Sequence, residues 1–210
     1  LYSSAASDVY KRQHFTNCSL PNALISGSVN WARRKQLMDH HTAIHIVGGA
    51  TRELLGPHIW QAGSNKGEMY ARLDVTHYSR ISRDMLDKIE DRANEIIIGN
   101  LNIEKLLLNR GDADKRFNFD IYQGGSPKYD KIRIIKIGDF DIQACGGTHH
   151  NKTGLIGELR IIRSSQVQDG VERLQVVAGD TAREHARFQE QILSETSDTV
   201  SYTHLRAHET

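Results

Sequence analysis

The sequence predicts an α+β fold in two layers, with a mostly antiparallel sheet packed against helices. Three observations point that way. Two long stretches carry apolar residues at helical spacing, short β-branched runs are flanked by glycine-bearing turns, and no strand-helix-strand unit recurs at a fixed interval. A chain of 210 residues is long enough to bury one sizeable core.

The elements follow in order. Trp31 through Leu55 reads as a helix, and Gly56-Pro57 stops it. An extended segment at His58 to Ala62, a turn at Gly63-Ser64-Asn65-Lys66-Gly67 and a strand at Glu68 to Val75 read as a hairpin. A second helix covers Arg83 to Ile98, where Met85, Leu86, Ile89, Ala93, Ile96 and Ile97 recur on one face and are expected in the core. Leu101 to Asn109 is a further strand, followed by a polar turn or short helix at Gly111 to Arg116. Lys131 to Ile137 and Phe140 to Ala144 flank Gly138-Asp139, a two-residue hairpin turn. Glu158 to Arg163 and Val171 to Ala178 are strands, and the chain turns helical from Asp180.

No apolar run approaches the roughly 20 residues needed to cross a bilayer, and the N-terminus lacks the apolar core of a signal peptide. A cytoplasmic protein with no membrane partner is expected. Of its two cysteines, Cys18 reads as incidental and Cys145 as part of a motif. Residues 1–13 and 199–210 look like adapter-derived tails foreign to the fold, and residues 14–29 like the end of an upstream module. Residues 30–179 are then the folded domain and 180–198 the opening of a linking helix. Setting the tails aside removes Lys11, Arg12 and Arg206 against Asp8 and Glu209, which leaves 24 basic and 24 acidic residues. A near-neutral body does not advertise strong nucleic-acid binding, because affinity grows with each phosphate neutralised. Any RNA contact must come from a local patch, for which Arg33-Arg34-Lys35 and the span Lys128 to Lys136 are the candidates.

The chemistry lies in two short strings. His41 and His45 are four apart, which on a helix puts them on one face with Cβ atoms roughly 5–6 Å apart. Far along the chain, Cys145-Gly146-Gly147-Thr148-His149 repeats the spacing with a thiol and an imidazole, and the two glycines permit a sharp turn. Three imidazole nitrogens and one thiolate suit one tetrahedral zinc ion, with bonds of about 2.0–2.1 Å to nitrogen and about 2.3 Å to sulfur. A lone His-x3-His pair has little weight, since His204 and His208 repeat it with no Cys-x3-His beside them. His40 and His150 stand one residue off register, which turns them away from the shared face and makes them ordinary polar neighbours. The metalloprotease signature His-Glu-x-x-His is excluded, because Thr42 occupies the position of its glutamate.

Several motifs together resemble the editing domain of archaeal-type alanyl-tRNA synthetases, between about Gly27 and Asp198. They are Val29-Asn30-Trp31-Ala32-Arg33-Arg34, His41-Thr42-Ala43-Ile44-His45, Trp60-Gln61-Ala62-Gly63-Ser64, Arg72-Leu73-Asp74-Val75-Thr76-His77-Tyr78, Cys145-Gly146-Gly147-Thr148-His149 and Gln168-Asp169-Gly170-Val171-Glu172-Arg173-Leu174. The resemblance implies the editing-domain fold shared with threonyl-tRNA synthetase, with zinc bound by His41, His45, Cys145 and His149. It implies hydrolysis of the ester of seryl- or glycyl-tRNA(Ala), with Gln61 sensing the substrate at the aminoacylated 3' end. Thr42, adjacent to His41, is a second candidate for touching the substrate. ATP would belong to an aminoacylation domain absent from this chain, and dimerisation to an absent C-terminal region. Ile44 stands where these synthetases usually carry Thr, which bears on the pocket wall. His150 replaces a small apolar residue, which bears on the space beside the metal.

The catalytic group stays open at this level. Zinc can lower the pKa of an associated water to roughly 7, yet closed four-ligand sites are usually structural. Activation of water, positioning of substrate, and exchange of Cys145 for water all fit the residues. So do two other classes of protein: a free-standing alanyl-tRNA deacylase, and a structural zinc module that presents tRNA without hydrolysis.

Overall fold

The computed structural model describes residues 2–3, 14–15, 24, 26–126 and 128–207, with side chains described over 24, 26–126 and 128–197. Two short strands, β1 (Tyr2–Ser3) and β2 (His14–Phe15), pair with each other. Cys18, His208 and most of residues 1–23 lie outside the described residues, as do the side chains of 198–207, His204 among them.

Helix α1 (Trp31–Leu55) opens where the Asn30 side chain accepts from the Arg33 amide at 3.1 Å, and closes at Gly56. Its middle is apolar on several sides, and Ala43, Ile44, Ile46, Val47 and Ala50 are fully buried. A helix buried to that extent runs through a core rather than along a surface. β3 (Gln61–Lys66) and β4 (Ala71–Thr76) form the expected hairpin. Its turn, however, falls after Lys66, closed by the Gly67 amide on the Tyr70 carbonyl, and not at 63–67. Gly63 sits inside β3 at a register shift, where an added Cβ would meet Asp74 Oδ2 at 3.2 Å. The glycine therefore answers a close approach within the sheet, although its neighbours Ser64 and Asn65 look like turn chemistry.

α2 (Arg83–Ile98) has the expected bounds and is capped by Ser82. Leu86, Ile89, Ala93, Ile96 and Ile97 are buried, with Met85 packed partly against them. β5 (Ile103–Asn109) leads into α3 (Arg110–Phe117), and β6 (Lys131–Ile137) into β7 (Asp141–Ala144). The β6–β7 turn has three residues, Gly138 to Phe140, since Ile137 pairs with Asp141. β8 (Leu159–Gln168), longer than expected, and β9 (Val171–Ala178) form the last hairpin. α4 (Asp180–Ala207) follows and runs on through residue 199 without a break in its backbone.

The strands form two larger antiparallel sheets where the sequence suggested one: β3-β4-β9-β8 and β5-β6-β7. β6 explains how the second attaches. Its Ile135 and Ile137 enter the main core, while Ile132 and Ile134 face a smaller cluster with Ala113 and Ile121. The strand reads Lys-Ile-Arg-Ile-Ile-Lys-Ile, and its isoleucines are buried on both faces while its charged residues are not. In the first sheet, Arg173 grips Asp74 with two hydrogen bonds of 2.7 and 2.9 Å across β4 and β9. Among the described residues no helix is long and apolar enough to cross a membrane.

Candidate metal centre

α1 carries His41 and His45 one turn apart, and β7 delivers Cys145 at its end, where the Cys145 amide still bonds the Arg133 carbonyl at 2.9 Å. The chain then turns back, so that His149 meets the same point. One donor atom from each of His41, His45, Cys145 and His149 lies within 4.8 Å of the others. Cys145 Sγ is 3.4 Å from His41 Nε2 and 3.3 Å from His149 Nε2. Those separations match the edges of a tetrahedron whose centre is about 2.0–2.3 Å from each corner, the bond lengths zinc prefers. The donor set holds no carboxylate, which fits a borderline-soft cation and not magnesium or calcium. The four residues therefore fit a metal ion of the zinc type.

The turn depends on Gly147. A Cβ there would lie 1.9 Å from His41 Cε1, so any side chain would displace the ring from the cluster. The Gly147 carbonyl is held by Arg133, and its amide points at Cys145 Sγ at 3.4 Å. On the helix side, Gly49 lets Phe140 of the β6–β7 turn pack against α1, where a Cβ would come within 2.8 Å of the ring. That contact brings Asp141 to α1, with its Oδ2 3.8 Å from His45 Nδ1.

Charge at the centre follows from this geometry. Burial opposes ionisation of the Cys145 thiol, yet His45 and the imidazoles of His149 and His41 pull it far below the usual thiol range. Burial also opposes charge on His45, but Cys145 and Asp141 push it up to about 9. Burial and repulsion from His45 drive His149 down to about 3, and burial lowers His41. The Cys145 thiolate and the neutral His41 and His149 rings are in the states that bind a metal, whereas His45 would give up its proton on binding one.

The outer contacts include residues that the spacing argument did not reach. Thr42 is fully buried, and its hydroxyl shares a hydrogen bond with His149 Nδ1 at 3.3 Å and accepts one from the His150 amide at 3.4 Å. It holds the Cys-x3-His loop to α1, and no face of it is left for a substrate. His150 does not crowd the cluster. Its Nε2 donates to Asp39 Oδ1 at 2.6 Å, and Lys35 reaches the other oxygen of this fully buried carboxylate at 2.7 Å. His40 is likewise buried, and its Nδ1 donates to the Gly67 carbonyl at 2.7 Å. Both are polar neighbours outside the cluster, as their register suggests, and both are buried. Asp39 gave one faint signal in the sequence: an acid in the helix segment that also carries the histidines.

Gln61 lies apart from the ligands, on the wall of a small enclosed cavity. That cavity includes Ile44 and Arg52 and shares Asp141 with the His45 side of the centre. A larger cleft of about 220 Å³ adjoins the ligands directly and is lined by Arg34, Leu37, Met38, His41, Lys66 and Thr148.

The family described as the threonyl and alanyl tRNA synthetase second additional domain matches residues 132–175, which run from β6 through the Cys145 to His149 loop into β9. The chain is 43% identical over 177 residues to an alanine-tRNA ligase of Sulfurisphaera tokodaii, a match covering 84% of this chain and 20% of the relative. It is 44% identical over 186 residues to that of Halobacterium salinarum, covering 89% and 20%. It is 46% identical over 176 residues to that of Natronomonas pharaonis, covering 84% and 19%. Over more than four fifths of its own length the chain is similar to these alanine-tRNA ligases, and it spans about one fifth of the length of the curated relatives it matches.

Proposed function

We propose that this chain is the editing module of an alanyl-tRNA synthetase, which hydrolyses the ester joining serine or glycine to the 3' end of tRNA(Ala). The observation that carries the reading is the convergence of His41, His45, Cys145 and His149 beside a cationic cleft, in a chain similar to alanine-tRNA ligases. Residues 30–179 form the module in this reading. ATP, alanine activation and dimerisation belong to parts of the parent protein outside the chain.

A zinc ion held by the four side chains would supply Lewis-acid polarisation of the ester and acidification of water. The remaining work falls to the chain's own residues. Thr42 orients the His149 ring before substrate arrives, which spares the reaction that ordering, and Asp141 places a carboxylate beside His45. Gln61 senses the serine hydroxyl from the cavity wall that it shares with Asp141.

Such a site answers a limit of molecular recognition. A pocket built for alanine discriminates against glycine by only about 1–3 kcal/mol, and it rejects the added hydroxyl of serine poorly. A second site prepared to bond that hydroxyl reverses the preference, because alanine leaves its polar groups unpaired at a cost of about 1–3 kcal/mol each.

The test is to load the chain with zinc, measure one ion per chain, and compare hydrolysis of seryl-, glycyl- and alanyl-tRNA(Ala) with Cys145→Ala as the control. Seryl and glycyl esters are expected to be cleaved faster than alanyl. Equal rates for all three overturn the reading. The closed set of four ligands favours a second function, a metal module that presents tRNA without hydrolysing it. A zinc-loaded chain and an intact parent enzyme that are both inert toward seryl-tRNA would establish that alternative.

A further inference from the structure

The basic run on α1 is divided by the fold. Arg33 pairs with Glu68 at 2.6 Å, and Lys35 pairs with the buried Asp39 at 2.7 Å. The Arg34 side chain has no hydrogen bond or ion pair among the described residues, and it lines the cleft beside His41. Across that cleft Lys66 donates to Ser64 Oγ at 2.7 Å and has no acidic partner among the described residues. No carboxylate lines the cleft, whose remaining wall is Leu37, Met38, His41 and Thr148. Two cations in a cleft that has no carboxylate on its wall and ends on His41 suit an anion attached to whatever the metal handles.

The helix gives this cleft a direction. At 3.6 residues per turn, Trp31, Arg34, Met38, His41 and His45 fall within a sector of roughly 80°, and Arg34 stands roughly 10 Å along the axis from His41. Trp31, at the outer end of the stripe, is 66% exposed. Its indole offers a platform on which an unpaired base can stack. The order from the helix end inward is therefore aromatic surface, cationic cleft, metal ligands, which matches a single-stranded RNA end entering with its ester foremost.

We infer that Arg34 and Lys66 form a phosphate subsite, which holds the 5' phosphate of the terminal nucleotide while its 3' ester lies at the His41, His45, Cys145, His149 cluster. This rests on the editing function proposed above. The phosphate acts as a ruler: the ester reaches the ligands only when the nucleotide bearing it is seated between Arg34 and Lys66.

Two non-hydrolysable probes test it, 3'-serylamino-3'-deoxyadenosine and its 5'-monophosphate, titrated calorimetrically into the zinc-loaded chain. The monophosphate is expected to bind roughly 10- to 100-fold more tightly, as a charge-assisted contact to phosphate provides. The advantage is expected to shrink as salt is raised. Arg34→Gln and Lys66→Gln, checked for retained zinc and unchanged melting temperature, should each lose most of the advantage. Arg33→Gln, whose native partner is Glu68, should keep it. Equal affinity for the two probes, or an advantage that Arg34→Gln retains, overturns the subsite and leaves the editing function standing. Binding of neither probe overturns both.

Discussion

Adjacent histidines on each half of the centre are put to opposite uses. His41 and His149 turn their Nε2 atoms toward Cys145 Sγ, at 3.4 and 3.3 Å. His40 and His150, one residue away in each string, turn toward the Gly67 carbonyl and the Asp39 carboxylate, at 2.7 and 2.6 Å. Both regions are buried and both join α1 to distant chain. They differ in what saturates the imidazoles. Around His40 and His150 the protein supplies acceptors, so those rings act as struts. Around His41, His45 and His149 the inward nitrogens meet only one another and a thiolate, a concentration of lone pairs that a cation satisfies. Burial and proximity alone do not mark a ligand. The absence of a protein proton acceptor on the converging side does.

Substitutions on the two sides should separate these roles. The largest effect is expected on the ligand side. Cys145→Ala should reduce bound zinc, measured by elemental analysis, from one per chain to a small fraction, and with it the cleavage of seryl-tRNA. On the strut side Asp39→Ala leaves Lys35 and His150 without their buried carboxylate and should cost about 3 kcal/mol or more in denaturant unfolding. If the comparison is sound, folded Asp39→Ala still takes up one zinc at saturating metal.

Thr42→Val lies between the regions, since its hydroxyl touches both His149 and His150. It should weaken zinc binding by about 10- to 100-fold, read by competition with a chelator. An unchanged affinity would mean that the hydroxyl does not orient His149. Arg33→Ala, which breaks an ion pair more than half exposed on both sides, should change stability by less than about 1 kcal/mol. A larger loss would show that the β3–β4 turn depends on the start of α1.

Local pattern accounts for much of what could be read without coordinates. α2, β6 and β9 have the bounds that periodicity and β-branched runs suggest, because in each case a single stretch of chain carries its own signal. The turns were less legible. Gly63-Ser64-Asn65 has turn composition yet lies within β3, since the glycine answers the Asp74 side chain of the neighbouring strand. The division into two sheets was also hidden, because it depends on which face of β6 meets which cluster, and both faces carry buried isoleucines.

By itself the sequence singled out His41, His45, Cys145 and His149 as candidate donors, which the fold brings within 4.8 Å of one another. Helical spacing places His41 and His45 on one face, Cys145 and His149 repeat that interval, and donor type selects a zinc-like cation. All of that is local chemistry, which survives without knowledge of the fold. Only the tertiary structure decided what surrounds them: Thr42 behind His149, Asp141 beside His45, Asp39 holding His150, and Arg34 and Lys66 across a shared cleft. Those partners stand far apart in sequence, and their meeting depends on how α1 packs against two sheets. No spacing rule within a single stretch of chain encodes that packing.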